Sequence, residues 1–468
     1  MIMKYTRFPS LSNGSARLSL TNPAARSLGR FSDHTEKTTT PKAATSARER
    51  PSPILALFLT SFFVPVVWNV ATFSFSLSRL FLVFAALPTF IAWLSGKAGR
   101  LQATDVMVVL TALWAALTLQ IGVGPSSPEY AVITAIEFLT PFLLGRVLVR
   151  NEGQYRATVR ALGWAALVLL PVAALEALTG FRVFNFVFGL PQPSVAIDDM
   201  RLGMVRAQTV FVHPILSGIA LAMCFAPIYF AVRPFRGAIT AGLASAPVVG
   251  VVFFSLSSGA WVVLMTQMMF MAWGRLCREI SARWYILAAI AFGTFVVLEV
   301  LSNRSLLKVA AQYLALNPWN GYVRVVILEN GLNNVWAHPV FGLALADWAR
   351  PAWLPSSVDN FWLVMAMRHG IPGFLLMAGS WLSALIYLIL SQPETKSTRM
   401  SRDAHAFVLI SVAVAIFTVH LWGTALYLAM FMLGASGWFF DPADEPTRER
   451  AREAADEAGA SERQARRS

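Results

Sequence analysis

Runs of about 20 apolar residues recur along this chain and are separated by short polar or basic segments. A run of this length, coiled as an α-helix, crosses the roughly 30 Å hydrocarbon layer of a membrane. The pattern predicts an all-α polytopic membrane protein with about 12 transmembrane helices. The predicted spans are 53–71, 77–95, 104–123, 130–148, 158–178, 210–232, 237–256, 259–275, 284–302, 371–391, 404–420 and 423–440.

Two predicted connections, at about 181–209 and 303–369, are much longer than the others. Connections of this length in a compact protein are usually functional or disordered, and the Trp and Phe content here favours order. The second connection begins with a pattern in which Arg304, Lys308 and Gln312 recur every four residues opposite apolar positions. This pattern predicts an amphipathic helix on the membrane surface.

The same long connection carries further local signals. We predict a second helix from Tyr322 to Trp336, with Arg324 in its first turn. A turn is predicted at 338–342, where His338 precedes a Pro-containing stretch that ends in glycine. A short helix at 361–367 then dips towards the membrane before the tenth span.

Composition supports this class of protein. Of the 468 residues, 56% are hydrophobic and 13% are charged, whereas soluble domains are about 25% charged. The net charge of +13 raises the possibility of nucleic-acid binding, but much of the excess lies in two polar tails and in loops between spans. There it sets orientation and attracts anionic membrane lipids, so no nucleic-acid partner is expected.

Three regions follow from these patterns. Residues 1–50 are predicted to be a disordered basic cytoplasmic tail, 51–440 a transmembrane domain that carries the candidate catalytic residues considered below, and 441–468 a charged cytoplasmic tail. The positive-inside rule places both termini in the cytoplasm and both long connections outside. Yet these outside segments carry cations that orientation does not require, which suggests an anion handled on that side: Arg201, Arg206, His213, Arg304, Lys308, Arg324 and His338.

Arg206 and His213 flank the start of the sixth predicted span. They are seven residues apart, so on a continuous helix they share a face. Alternatively, His213-Pro214 starts the helix and Arg206 lies in a loop above it. Arg206 is either an anion ligand or an interface anchor. His213 is either functional or a structural histidine at a helix start.

The second long connection offers groups for phosphate binding and proton transfer. The guanidinium of Arg324 presents a planar fork suited to phosphate oxygens. Its alternative roles are an ion pair with Glu329 and a snorkelling arginine at the membrane interface. His338 and Asp359 are the titratable groups best placed to move a proton. Their alternative roles are a structural turn histidine and a helix N-cap.

Other signals are weaker or missing. Glu137 lies within the fourth predicted span, where an ionisable residue is often functional, although a hydrogen bond to a neighbouring helix is slightly favoured. Cys224 and Cys277 are not expected to form a disulfide. The sequence contains no Gly-rich phosphate loop and no metal-type Cys/His pattern, so no cofactor and no metal are predicted.

Four segments together resemble the O-antigen ligase and O-antigen polymerase superfamily of membrane enzymes. In chain order they are RLGMVRAQTVFVHPILSG at 201–218, FSLSSGAWVVL at 254–264, YVRVVILENGLNNVWAHPVFGLALADW at 322–348 and VDNFWLVMAMRHGIPGF at 358–374. The resemblance covers roughly 53–440, and it lies in the order and predicted topology of the motifs rather than in any one of them.

The resemblance implies a GT-C-like helical fold in the bacterial inner membrane, with an active site that faces the periplasm. The implied donor is a glycan on undecaprenyl diphosphate, and the acceptor is another glycan or the lipid A core. By motif, Arg206 and Arg324 engage the diphosphate, and Arg201, His213, Arg304 and Asn360 are further candidate substrate-binding residues.

This chain departs from the family pattern at two positions. Asp359 stands where the family often has a histidine before the asparagine, so the base is expected to be Asp359 or His338. Ser258 stands where the family often has an arginine.

Two rival interpretations come from other functional classes. A secondary transporter of an anionic solute or glycolipid predicts charges near the bilayer midplane and internal repeats, and no clear repeat is visible. A membrane scaffold or sensor gives no reason for the cations in the outside segments. Ligase and polymerase remain equally compatible with the sequence.

Overall fold

The computed structural model describes residues 51–70, 73–124, 128–192, 200–301, 318–393 and 395–441. The predicted tail at 1–50 lies outside these residues. The predicted tail at 441–468 also lies outside them, except for Asp441. The predicted amphipathic helix with Arg304 and Lys308 also lies outside them.

The described part of the chain is mostly helical, as predicted, with two short antiparallel hairpins. The strands are β1 Val67–Val70, β2 Phe73–Ser76, β3 Met200–Arg201 and β4 Met204–Val205. The helices are α1 Pro53–Ser61, α2 Leu77–Leu94, α3 Ala103–Val123, α4 Pro128–Leu148, α5 Glu152–Thr179, α6 Val183–Val187, α7 Pro214–Ala222, α8 Phe225–Ser255, α9 Ser258–Leu276, α10 Arg283–Leu301, α11 Pro318–Ala337, α12 Phe361–Leu390, α13 Lys396–Ala415 and α14 Gly423–Ala435.

Seven helical segments among the described residues are long and apolar enough to cross a membrane by length and composition. They are α2, α3, α4, α5, the continuous stretch of α7 and α8, α10 and α12. Helices of this length and composition are those of a multi-pass membrane protein.

The first predicted span, 53–71, is wrong as a continuous helix. Helix α1 ends at Ser61, and β1 begins at Val67. Pro65 has no N–H to continue the helix, and it disfavours helical backbone at the residue before it. The following Val-Val-Trp sequence consists of residue types that favour extended backbone.

The longest apolar stretch, Pro214–Ser255, folds back on itself. Gly237 has a φ of +82° and a ψ of 175°, so the helix breaks there. A Cβ on Gly218 would collide with side chains of Ser255 and Ala260, which puts the beginning of α7 beside the end of α8. The two limbs are therefore antiparallel, and the turn between them falls beside basic residues Arg233 and Arg236.

A second break divides α12. Gly370 has a φ of +69°, so a short limb from Phe361 is separated from the long limb that follows. A Cβ on Gly370 would meet the carbonyl of Val340, so the turn after α11 sits against this break. The backbone N–H of Ile371 also donates to the carbonyl of Pro339 at 2.7 Å.

Helix α11 confirms the predicted helix at 322–336 but begins earlier. Pro318 is its first residue, which suits a residue without an N–H because the first helical N–H has no intrahelical acceptor. Arg324 therefore lies nearly two turns into the helix rather than in its first turn. The predicted turn at 338–342 is confirmed, with Gly342 at a φ of +69°.

Half-buried and buried polar pairs join the helices. Glu137 on α4 accepts a hydrogen bond from Nε of Arg79 at 2.8 Å and another from the hydroxyl of Tyr427 on α14. This is the contact with neighbouring helices that the sequence favoured for Glu137. At the other end of α4, Arg146 donates to Asp105 at 2.6 Å, with both side chains almost completely buried.

Candidate active site

The segment before α7 presents Arg201 and Arg206 on a tight hairpin. Leu202 and Gly203 both have positive φ, at 53° and 73°, as a two-residue turn between β3 and β4 requires. Nη1 of Arg201 donates to the carbonyl of Leu256 at 2.7 Å. This bond ties the hairpin to the turn between α8 and α9.

A buried carboxylate fixes the segment after this hairpin. Oε2 of Glu176, near the end of α5, accepts hydrogen bonds from the backbone N–H groups of Gln208 and Thr209 at 3.0 and 2.9 Å. Nη1 of Arg182 donates to the same oxygen at 3.0 Å and to the carbonyl of Arg206 at 3.1 Å. Glu176 and Arg182 therefore hold the backbone that carries Arg206.

His213 occupies the helix-start position that was one of its two predicted roles. It is the N-cap of α7, and its Nδ1 accepts from the N–H of Ile215 at 3.2 Å. The helix begins at Pro214, so Arg206 lies in a loop and not on the same helix face. The ring of His213 also packs against Trp422, with centroids 5.9 Å apart.

Asp359 and Asn360 separate into two roles. The side chain of Asn360 caps α12 by accepting from the N–H of Leu363 at 3.0 Å. Asp359 is therefore not the N-cap, which was its predicted alternative. Within the described residues, the carboxylate of Asp359 makes no hydrogen bond and stays available for a ligand or a proton.

Electrostatic interactions link the predicted charged residues: Asp359 interacts with Arg324 and Arg206, and Arg324 interacts with Arg201. Burial raises the pKa of Asp359, while the charges of Arg324 and Arg206 lower it by attraction. Burial lowers the pKa of Arg324; Asp359 opposes this shift, and the nearby Arg201 adds to it. The carboxylate that acts on Arg324 is thus Asp359 rather than Glu329, and the guanidinium stays charged.

Arg324 also retains binding capacity. Its Nη1 is buried and has no hydrogen-bond partner among the described residues. A buried cationic donor without a partner is costly, and a bound anion would satisfy it.

A cavity of about 440 Å³ opens beside Asp359. Its walls come from the segments 343–348 and 356–359, from the short limb of α12, and from His420 and Trp422. Solvent reaches Asp359 in this cavity, although the surrounding protein still removes enough water to raise its pKa. A volume of this size accommodates a sugar-sized ligand.

Hydrogen bonds at its ends hold the loop that forms this wall. The amide of Asn334 on α11 accepts from the N–H of Ala349 and donates to its carbonyl, both at 2.9 Å. Nε1 of Trp348 donates to the carbonyl of Ser356 at 3.0 Å. The cavity wall is therefore fixed to α11 and is closed across its own loop.

A second cavity, of about 330 Å³, lies among the helices and is lined in part by Arg79, Glu137 and Tyr427. The two cavities share five lining residues: Leu345, Val364, Arg368, His420 and Trp422. They adjoin each other at these residues, which we call the junction.

The junction contains residues that the sequence did not single out. Arg368 and His420 are more than fifty positions apart, so no local spacing connects them. The one available signal was the Arg-His-Gly interruption at 368–370, which marks the break in α12. His420 was placed at the end of a predicted span, but α13 ends at Ala415 and leaves it in a connecting segment.

The remaining predicted residues lie apart from this site. His338 follows the end of α11 and is exposed; it does not line either of the two cavities described. Arg304 is outside the described residues. Among the residues that the structure describes, no three His, Cys, Asp or Glu side chains group as metal ligands would.

Backbone hydrogen bonds join the four segments that carry the family resemblance in two pairs. The N–H of Ala207 donates to the carbonyl of Phe254 at 2.9 Å, which joins the first two segments. The N–H groups of Leu343 and Ala344 donate to the carbonyls of Met367 and Arg368 at 2.7 and 3.0 Å, which joins the last two.

Comparison with known proteins does not add to this resemblance. No protein-family model matches the chain, and no curated protein matches it significantly. The resemblance therefore depends on the four motifs and on their arrangement.

Proposed function

We propose that this protein is a glycosyltransferase that moves a glycan from undecaprenyl diphosphate to a sugar hydroxyl on the periplasmic side of the bacterial inner membrane. The observation that carries the proposal is the interaction of Arg206 and Arg324 with the unbonded carboxylate of Asp359, which lines a sugar-sized cavity, together with the interaction of Arg201 with Arg324. Arginine forks bind phosphate oxygens, and a carboxylate accepts a proton.

The proposed reaction is a direct displacement. An acceptor hydroxyl attacks the anomeric carbon, the new glycosidic bond forms, and the bond from that carbon to the lipid diphosphate breaks. Asp359 takes the proton of the hydroxyl, and the lipid diphosphate leaves with the bonding electron pair. The arginines stabilise the negative charge that grows on this leaving group.

The charges of the site fit this donor. A diphosphate bonded to a sugar at one end and to a lipid at the other carries a negative charge on each phosphate. The three arginines exceed the single charge of Asp359 by two, so the bound donor would neutralise the cluster. The buried Nη1 of Arg324 has no partner among the described residues, so it is a donor that the diphosphate can satisfy.

The proposed topology has about 12 spans in a GT-C-like arrangement, with both termini in the cytoplasm. The reversal at Gly237 supports a larger number of crossings than the seven long apolar segments, because one of those segments has two antiparallel limbs. The turn at Gly237 then faces the cytoplasm, and the arginine cluster faces the opposite side.

The test is deletion of the gene followed by complementation, with the surface polysaccharide resolved on a gel. Complementation by Arg324→Ala and by Arg206→Ala should fail at normal protein levels in the membrane. Arg278→Ala, an exposed arginine in the predicted cytoplasmic loop, is the matched control and should complement. Full complementation by both site variants would disprove the diphosphate-binding role.

The gel pattern also separates the two possible acceptors. Single repeat units on capped lipid A core indicate a polymerase, as does selective loss of a secreted polysaccharide. Uncapped lipid A core, with long glycan accumulating on undecaprenyl diphosphate, indicates a ligase. An unchanged glycan profile counts against both.

One observation favours transport of an anionic solute as the second candidate. The Arg79–Glu137 pair and Tyr427 line the second cavity among the helices, where polar residues often mark a transport route. A transporter predicts solute uptake that Glu137→Gln abolishes, with the glycan profile unaffected in Arg324→Ala.

A further inference from the structure

The junction between the two cavities is a separate place where a ligand can bind. Of the five residues that line both cavities, Arg368 is the only charged one, and it lies on the short limb of α12. Its backbone carbonyl accepts from Ala344 at 3.0 Å, which fixes the start of the side chain. The guanidinium makes no hydrogen bond or ion pair within the described residues.

An arginine in this setting favours a bound anion. The side chain of Arg368 is exposed, and no carboxylate of the described chain neutralises it. An accessible guanidinium without a protein partner can bind a ligand carboxylate in bidentate geometry, which is the strongest arrangement for this pair.

His420 supplies a second, independent sign of a missing ligand. Its Nδ1 is buried and has no hydrogen-bond partner among the described residues. The ring is stacked between Phe361 and Trp422, with centroids 5.9 and 5.7 Å away and interplanar angles of 22° and 26°. Stacking fixes the ring, so the unpartnered nitrogen stays in place beside both cavities.

Trp422 completes the chemistry of the junction. It lies at the end of this aromatic stack, lines both cavities and keeps 38% of its surface exposed. An accessible indole offers a flat apolar surface, and one face of a pyranose ring presents C–H groups that pack against such a surface. The cation of Arg368, the ring nitrogen of His420 and the aromatic surface of Trp422 together suit a negatively charged sugar better than a simple anion.

We propose that the junction binds a carboxylate-bearing sugar ring of the glycan substrate. Arg368 pairs with the carboxylate, Nδ1 of His420 hydrogen-bonds to a ring hydroxyl, and Trp422 packs against the ring face. The glycan identity of this ligand rests on the proposed function, while the binding of an acidic sugar is measurable without any transfer reaction.

Charge decides between a carboxylate and the donor diphosphate as the bound group. The junction has one permanent positive charge, from Arg368, which matches the single charge of a uronic acid. The cluster of Arg201, Arg206 and Arg324 matches the greater charge of the diphosphate. The two anions of an acidic lipid-linked glycan would therefore occupy different sites.

The experiment measures binding to the full-length protein in lipid nanodiscs by titration calorimetry. The probes are tetragalacturonate, the neutral maltotetraose and inorganic pyrophosphate. We expect the wild-type protein to bind tetragalacturonate more tightly than maltotetraose. Arg368→Gln should weaken tetragalacturonate binding by about tenfold or more, because a charge-assisted bidentate contact is lost.

The control variants separate this site from the arginine cluster. Arg368→Gln should bind pyrophosphate as the wild type does, which also shows that the variant is folded. Arg324→Gln should lose affinity for pyrophosphate and should bind tetragalacturonate as the wild type does. Arg368→Lys, which keeps the charge but loses the fork, should fall between the wild type and Arg368→Gln.

Two results would overturn the proposal. Equal wild-type affinity for tetragalacturonate and maltotetraose would mean that the carboxylate is not recognised. If Arg368→Gln lost binding of pyrophosphate and kept binding of tetragalacturonate, the junction would be assigned to the donor diphosphate. Failure of the proposed function instead appears as normal polysaccharide with Arg206→Ala and Arg324→Ala, so the two failures are distinguishable.

Discussion

The carboxylate of Glu176 accepts a hydrogen bond from the backbone N–H of Thr209 at 2.9 Å, although the two residues are 33 positions apart. Thr209 has a φ of +52°, which is unfavourable for a β-branched residue. The bond to Glu176 therefore offsets strain in the segment that carries Arg206, and Glu176 acts as a positioning residue.

Replacing Glu176 tests this role. Glu176→Ala leaves the Arg182 guanidinium and two N–H groups without their shared acceptor, so we expect a loss of about 3 kcal/mol in stability. Glu176→Gln keeps one acceptor oxygen and should retain more of both stability and glycan transfer. Thermal unfolding in detergent and the complementation assay measure the two effects. Equal stability of the wild type and Glu176→Ala would contradict the positioning role.

The proposed proton-accepting role of Asp359 predicts a specific dependence on pH. A base must be deprotonated, so transfer should fall as the pH drops through the pKa of Asp359, which burial raises above its usual range. The attraction of Arg324 lowers this pKa, so Arg324→Gln should raise it further and move the acidic loss of residual activity to higher pH. The measurement is transfer in membrane vesicles as a function of pH.

Asp359→Asn is the companion variant for this profile. The amide cannot take the proton, so the remaining transfer should be slower and should lack the acidic limb assigned to Asp359. An acidic limb unchanged from the wild type would show that another group is the base.

His213 is expected to act as a helix cap. Its Nδ1 satisfies the N–H of Ile215 at the start of α7, so His213→Ala should lower stability by about 1 kcal/mol. Asn is a good N-cap, and His213→Asn should recover stability and transfer together. A variant with asparagine that is stable but inactive would instead assign a chemical role to the imidazole.

The two broken helices provide a matched pair of glycine variants. Gly237 and Gly370 have φ values of +82° and +69°, so alanine at either position is strained by about 1 kcal/mol. At Gly237 the new Cβ meets open space, whereas at Gly370 it meets the backbone carbonyls of Val340 and Pro339. Gly370→Ala should therefore destabilise the protein more than Gly237→Ala, as melting temperatures of the two variants would show.

Glycan transfer should also fall further in Gly370→Ala than in Gly237→Ala. Displacement of the 338–342 turn also moves the adjoining cavity wall, because Leu343 and Ala344 bond to the backbone just before Gly370. Similar stability and transfer for both alanine variants would show that this contact adjusts easily.

Local pattern was enough for much of the fold. Apolar runs of the right length predicted helices such as α3 and α4 closely, because a helix that crosses hydrocarbon must satisfy its own backbone and be apolar along its length. The pattern failed at 53–71, where a continuous apolar run concealed Pro65 and the extended residues after it. Apolarity indicates burial in lipid or protein, but it does not by itself fix the backbone conformation.

The candidate site was predictable only where unusual residues stood out from their surroundings. Arg206, Arg324 and Asp359 were visible as charges in segments predicted to lie outside, and the structure brings their charges together. Glu176 and His420 were not singled out, because both lie at or near the end of a predicted span, where polar residues are common. Their roles depend on contacts with residues far away in the sequence, and one sequence contains no direct record of such contacts.

The amide of Asn334 grips both backbone groups of Ala349, and Asn360 caps the helix that begins after Asp359. Hydrogen bonds therefore fix the loop between these two asparagines at both of its ends. Replacement or lengthening of the loop near Pro351 should leave Asp359 and the arginines where they are. Under the proposed function, a change in this loop would therefore alter which acceptor fits the cavity without moving the groups proposed to form the bond.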